Sequence, residues 1–166
     1  MVILRSASPH DAPAVAEVWQ AAWHDGHRGF VPDALIDARD PAYFAARAAD
    51  LVDHVTVAVD GETLLGVLIV QDDELQQLMV SAVARGRGVG GLLLAEAERQ
   101  VAAAGHGEIW LAVVPGNATA RRFYESRGWV DCGEETYDAV TLSGTTVPVP
   151  VCRYVKGLNI ASQQLT

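Results

Sequence analysis

The feature that most constrains this chain is a run of seven residues, Arg85-Gly86-Arg87-Gly88-Val89-Gly90-Gly91, between a short apolar segment and a long helical one. Glycines at 88, 90 and 91 let the backbone approach a ligand closely, since no Cβ intervenes. A helix starting here presents unbonded amides at the positive end of its dipole, a ready site for an anion. Arg85 and Arg87 add cationic charge beside them. The pattern therefore points to a phosphate or pyrophosphate held by residues 85–91. A glycine-rich helix start with no ligand is the plainer reading, and the two arginines weigh against it.

Two other phosphate loops fit poorly. A P-loop ends in Gly-Lys followed by Ser or Thr, and the single lysine of this chain is Lys156. Gly86, Gly88 and Gly91 match the dinucleotide pattern G-x-G-x-x-G, but such glycines should follow a strand at once and begin a repeated βαβ array. Here five residues separate Val80 from Gly86, and several strand-like segments precede the loop. With 166 residues in all, too little chain remains for the second half of such a fold.

Periodicity orders the rest. Residues 2–5 read as a strand, and Ser8-Pro9-His10-Asp11 as a helix start. Val15, Val18, Trp19, Ala22 and Trp23 then share one helix face. A second helical stretch lies between Pro32 and Asp50. Residues 55–59 and 64–70 read as a hairpin around Asp60-Gly61-Glu62, and 75–80 as another strand. After the glycine loop, Leu93, Leu94, Ala97, Val101 and Ala104 form an apolar helix face that Gly105 ends. Residues 109–113 are a strand, Asn117 caps a short helix that Gly128 closes, and 129–137 pairs with 147–155 around Ser143-Gly144. The expected fold is α/β (α+β), a mixed and largely antiparallel seven-stranded sheet flanked by helices. It forms one domain over residues 1–156, with a loose tail at 157–166.

Charge narrows the partners. The net charge is −9, and all of it lies in residues 1–80, which hold 13 acids against 4 bases. That argues against nucleic acid, whose phosphates need a basic surface. It fits a two-part site, with an anion on the arginine-bearing half and a cation drawn to the acidic half; solubility alone is the plain alternative. The longest apolar run is the seven residues 64–70, far short of the ~20 that span a bilayer. The start, MVILRSASPHDAP, does not read as a signal peptide, and two cysteines make no disulfide framework. The expectation is a cytoplasmic protein without a membrane partner.

Several motifs together resemble one family. Arg85-x-x-Gly88-x-Gly90 resembles the pyrophosphate loop, R/Q-x-x-G-x-G/A, of the GCN5-related N-acetyltransferases (GNAT). Leu78-Met79-Val80 looks like that family's fourth strand. Asn117-x-x-Ala120-x-x-Phe123-Tyr124-x-x-x-Gly128-Trp129 is similar to its later helix signature. The order of elements matches from end to end; Ala82, where proline is common, and the extra Gly91 are the departures.

The resemblance implies transfer of an acetyl group from acetyl-coenzyme A, as co-substrate, to an amine by direct attack and without a metal. The acceptor would be an amine-bearing small molecule or peptide. The same resemblance implies that the backbone of Leu78, Met79 and Val80 binds the pantetheine arm. Asn117 and Ala120 would lie along it, and Tyr124 would donate to the leaving sulfur. Homodimers are common among similar proteins. A non-catalytic acyl-coenzyme A sensor on the same fold is the alternative function.

The plain readings are a core tyrosine at 124, beside Phe123, and a simple N-cap at 117. The base is less legible. Gln76 and Gln77 occupy the middle of the fourth strand, where many members carry a carboxylate. Glu74, acting through water, is the candidate, with His24, His27, Asp72 and Asp73 as rivals; each also reads as a solvated turn residue. His24-x-x-His27 lacks further ligands at zinc spacing. Cys132 and Cys152 read as packing residues, and Trp19, Trp23, Phe30 and Tyr43 as mostly core.

Overall fold

Val55-Thr56-Val57-Ala58-Val59 is apolar on both faces of the strand period, the pattern of a strand covered on both sides. The computed structural model, which describes residues 1–159, buries all five in β2 (Val55–Asp60). The other strands are β1 (Ile3–Ser6), β3 (Thr63–Gln71), β4 (Glu74–Val80), β5 (Glu108–Val113), β6 (Val130–Val140) and β7 (Thr146–Gly157). They form one sheet in the order β1-β2-β3-β4-β5-β7-β6. Every neighbouring pair is antiparallel except β4 and β5. This is the expected seven-stranded mixed sheet.

Helices cover both faces. On one side α1 (Ala12–His27) and α3 (Pro41–Asp50) pack Val15, Trp19, Trp23 and Phe44 onto Val57, Val67 and Ile69. On the other, α4 (Val89–Ala103) and α5 (Ala118–Glu125) pack Leu93, Leu94, Ala97, Val101 and Tyr124 onto Leu65, Leu68 and Leu111. Gly66 allows the close approach of α4: a Cβ there would lie 2.8 Å from Leu93 Cδ1 and 2.9 Å from the Met79 carbonyl oxygen.

Four local expectations change. The stretch 32–50 is two helices, α2 (Asp33–Ala38) and α3, because Pro41 holds the preceding Asp40 in extended backbone. The Asp40 carboxylate then caps α3 by accepting from the Tyr43 amide at 2.8 Å. Ala104 lies beyond the end of α4 and is exposed, and Ala102 is buried instead. Phe30 is 47% exposed and Cys132 is exposed, so neither is core, whereas Trp19, Trp23, Tyr43 and Cys152 are buried. The tail does not begin at 157: β7 runs through Gly157, and the Leu158 amide donates to the Gly107 carbonyl at 2.9 Å. Residues 160–166 of that tail lie outside the described residues.

Candidate active site

Parallel pairing of β4 with β5 is limited to one position, Glu74 opposite Trp110. Each strand is held firmly on its other side: β5 has six register pairs with β7, and β4 runs along β3 with a bulge at Ile69/Val70. Past Glu74 the two strands therefore diverge, and a gap forms in the middle of the sheet. The helix after β5 closes one end of it. Asn117 caps that helix as its sequence position implies, its Oδ1 accepting from the Ala120 amide at 3.2 Å. Gly26 of α1 meets this cap closely, since a Cβ at 26 would lie 3.2 Å from Asn117 Nδ2.

On one side of the gap lies a groove of about 650 Å³. Its floor is Leu78, Met79 and Val80, and its end is formed by Arg85, Gly86, Gly88, Val89, Gly90 and Gly91. Asn117, Ala120 and Tyr124 make the opposite wall. Gly86 and Gly88 take φ of +80° and +78°, which an L side chain disfavours. The Leu92 amide makes the first helical bond, to the Gly88 carbonyl; among the described residues the amides of Val89, Gly90 and Gly91 donate to nothing.

Arg87 is placed elsewhere. Its guanidinium lies 3.3 Å from Asp60 at the end of β2, a carboxylate that also receives the N-terminal amine at 3.0 Å. Arg127 joins the groove unforeseen, 4.0 Å over the Phe123 ring. Its guanidinium Nη2 lies 3.5 Å from where a Gly91 Cβ would stand.

Tyr124 faces both the groove and the gap. Phe123, Trp129 and Tyr154 surround its ring, with centroids 5.2, 5.7 and 6.4 Å away. Burial pushes the phenol above its ordinary pKa, so it stays protonated at neutral pH. Its hydroxyl has no hydrogen-bond partner among the described residues.

Beyond the gap, on the α1–α3 side, is a second cavity of about 140 Å³ that Glu74 lines. Burial raises the Glu74 carboxyl, with a hydrogen bond from Gln76 opposing the shift. His27 lines both the cavity and the gap. Its ring stacks on Trp23 at 4.3 Å, with Nδ1 at 2.7 Å from the Trp23 carbonyl. A carbonyl only accepts, so Nδ1 carries the proton and Nε2 keeps its lone pair. Burial, the largest cause, pushes His27 down to about 4.

The other rivals are engaged elsewhere. His24 Nε2 lies 2.9 Å from the Arg39 carbonyl, Asp73 accepts from the Trp110 indole at 3.1 Å, and Asp72 sits in an exposed turn at φ +52°. Among the described residues no three His, Cys, Asp or Glu side chains gather as a metal site, and no helix is long and apolar enough to cross a membrane.

A family model described as the acetyltransferase (GNAT) family matches residues 12–129. The chain belongs to the GNAT family. Solved structures agree on the fold. A GCN5-related N-acetyltransferase from Rhodopseudomonas palustris superposes with a TM-score of 0.74 at 22% identity, over 94% of this chain and 95% of that one. The PaiA N-acetyltransferase from Thermoplasma acidophilum, in complex with coenzyme A, gives 0.73 at 19% identity, over 95% and 99%. YncA from Salmonella typhimurium, with its cofactor acetyl-CoA, gives 0.64 at 16% identity, over 96% and 95%. No curated protein matches the chain at a significant level.

In this GNAT chain the cavity beyond the gap also holds residues that the sequence analysis passed over: Arg39, Arg47 and Tyr137. Arg39 is 7% exposed, with its guanidinium carbon 4.2 Å above the Tyr43 ring and 5.1 Å from that of Trp23. A signal for two of them existed in the spacing of Arg39, Tyr43 and Arg47, four residues apart and flanking the start of α3.

Proposed function

We propose that the chain is an N-acetyltransferase that moves an acetyl group from acetyl-coenzyme A to the primary amine of a small molecule or peptide by direct attack. The observation that carries this reading is the gap between β4 and β5, which joins a glycine-walled groove to a second, side-chain-lined cavity with Tyr124 at the junction. PaiA and YncA, which share the fold, hold coenzyme A and acetyl-CoA. The donor set here suits the same molecule: free amides at the start of α4, no Cβ in their way, and Arg85 and Arg127 at the rim.

When bound, acetyl-coenzyme A supplies a thioester carbonyl activated toward nucleophiles. The chain's task is to hold the reactants together and to move protons. Val89, Gly90 and Gly91 donate their amides to the pyrophosphate, and the unpaired edge of β4 at Leu78–Val80 offers backbone groups to the pantetheine arm. Asn117 and Ala120 pack along that arm. Tyr124, protonated at working pH, donates a hydrogen bond to the sulfur as it gains charge. An alkyl ammonium with a pKa near 10.4 is only about one part in 10³ neutral at pH 7, so a proton must leave before attack. Glu74 receives it through water, and its raised pKa brings it nearer the working range. No protein nucleophile is required when both reactants are held side by side.

The test is release of free thiol from acetyl-coenzyme A across a panel of amines, with mass detection of the acetylated product. Amine-dependent release supports transfer. Tight coenzyme A binding with no turnover on any amine would instead mark a sensor module.

A further inference from the structure

The cavity beyond the gap is rich in hydrogen-bond donors that have nothing to bond. Trp19 Nε1, Arg39 Nε and Arg47 Nε are all buried without a hydrogen-bond partner, and all three side chains line this one cavity. Neither guanidinium has a carboxylate within ion-pair distance among the described residues, although the chain as a whole is acidic. Arg39 is held in place by ring faces: Tyr43 and Trp23 contact its plane, which leaves the N–H groups at its edge free. Leaving a buried donor unmatched is costly, and an unpaired buried cation more so, unless a ligand supplies the acceptor.

The opposite charge sits elsewhere in the same cavity. Glu74 is the one carboxylate among the side chains that line it. It stands on β4 where the gap begins, and the charges acting on it come from Asp73 and Arg153 rather than from Arg39 or Arg47. The Tyr137 phenol also lines the cavity and is near enough to feel both Glu74 and Arg39. The cavity therefore has a cationic, donor-rich end and an anionic end at the mouth of the gap. The half-chain charge count suggested a cation drawn to an acidic region. Locally the first half contributes two arginines and a single glutamate.

We infer that the acceptor is a small amino acid, its carboxylate bound by Arg39, Arg47 and the Trp19 indole and its amine held toward Glu74 and the gap. Arginine's planar fork matches a carboxylate in two-bond geometry, and the indole N–H adds a third donor. An amine with no acceptor group leaves all three donors unmatched, and a neutral carbonyl matches them without the charge. A polyamine would place a second cation against the arginines. The inference rests on the acetyl-transfer reading above for its chemistry and on this cavity alone for its specificity.

The experiment compares each amino acid with its carboxamide and with its decarboxylated amine, in acetyl transfer and, separately, by calorimetric titration into the protein saturated with coenzyme A. Loss of charge-assisted bonds to a carboxylate lowers kcat/KM or affinity by about 10- to 100-fold. At least one amino acid is therefore expected to exceed its amide by that ratio. In Arg39→Gln the ratio falls toward unity and Arg39→Lys restores part of it, with coenzyme A affinity as the check that the variant is folded. Should Arg39→Gln fail to fold, Arg47→Gln gives the same readout from the neighbouring helix. Carboxylate-selective binding without turnover would support this inference and defeat the acetyl-transfer reading. Turnover in which amides or polyamines equal or surpass the acids would overturn this inference and leave that reading standing. Absence of binding by every amino acid overturns it as well.

Discussion

The groove and the cavity meet at one gap in the sheet, yet they are built from different material. The groove is made chiefly from two short, nearly continuous stretches, residues 78–91 and 117–127, with Ala22, Asp25 and Gly26 of α1 along one side, and much of what it offers is backbone. The cavity draws on α1, the α2–α3 junction, β4, β6 and β7, and what it offers is side chains. A loop that binds through amides needs only glycines at fixed spacing, and such spacing is visible in a sequence. A pocket lined by Trp19, Arg39, Arg47 and Glu74 exists only once distant segments fold together. The first arrangement can be read from spacing along the chain, the second only from the packed fold.

The largest effect that would break this division is at the loop. Gly90→Asp sets a carboxylate among the amides of the first turn of α4; like charge in such a site costs several kcal/mol, a loss of about 10²-fold or more in coenzyme A affinity. An acidic residue at a helix N-terminus is itself favourable, so Tm should hold. Calorimetry showing unchanged affinity would remove the groove's role.

Next in size is Tyr124→Phe, at the junction of the two regions. Its kcat should drop by about 10²–10⁴, the range for a positioned proton donor. A change confined to KM would assign Tyr124 to binding.

Smaller effects sharpen the cavity side. Glu74→Gln should lower kcat by about 10²-fold, at the low end of the same range. A base works only when deprotonated, so wild-type kcat/KM should fall as pH drops through a Glu74 pKa held above the ordinary carboxylate value. That acid limb should vanish in the variant, and its persistence would transfer the role to another group.

The mildest prediction concerns stability. His27 titrates near 4 when folded against an ordinary 6.5, so between those values the unfolded chain binds more protons than the folded one. Stability should be full above pH 6.5 and decline as pH falls toward 4. A thermal-melt series should show a shallower decline in His27→Gln, and an identical slope would show that the ring is not buried neutral.

Legibility followed the same division. Residues 78–80 and the glycines, with Asn117, Ala120 and Tyr124, gather in one groove because backbone geometry or helix register sets the place of each. Adjacency groups Arg87 with them, and the structure turns it to Asp60 because neighbours in a loop need not point the same way. Arg127 escaped notice because its position depends on α5 packing beside the start of α4. Arg39 carries no motif of its own, and only the break before Pro41, with the packing of α1 and α3, sets its guanidinium over the Trp23 and Tyr43 rings.

By itself, then, the sequence determined what repeats locally: two buried strands, the helix faces, the amide-bearing loop and the capped helix with Tyr124. These are set by periods of two and 3.6 residues and by where a Cβ is missing. Only the tertiary structure decided where β4 leaves β5, which arginine faces the groove, and that two arginines and an indole share one cavity without a partner. Those depend on contacts between residues far apart in the chain, where charge and shape are set by which segments meet rather than by the order in which they are joined.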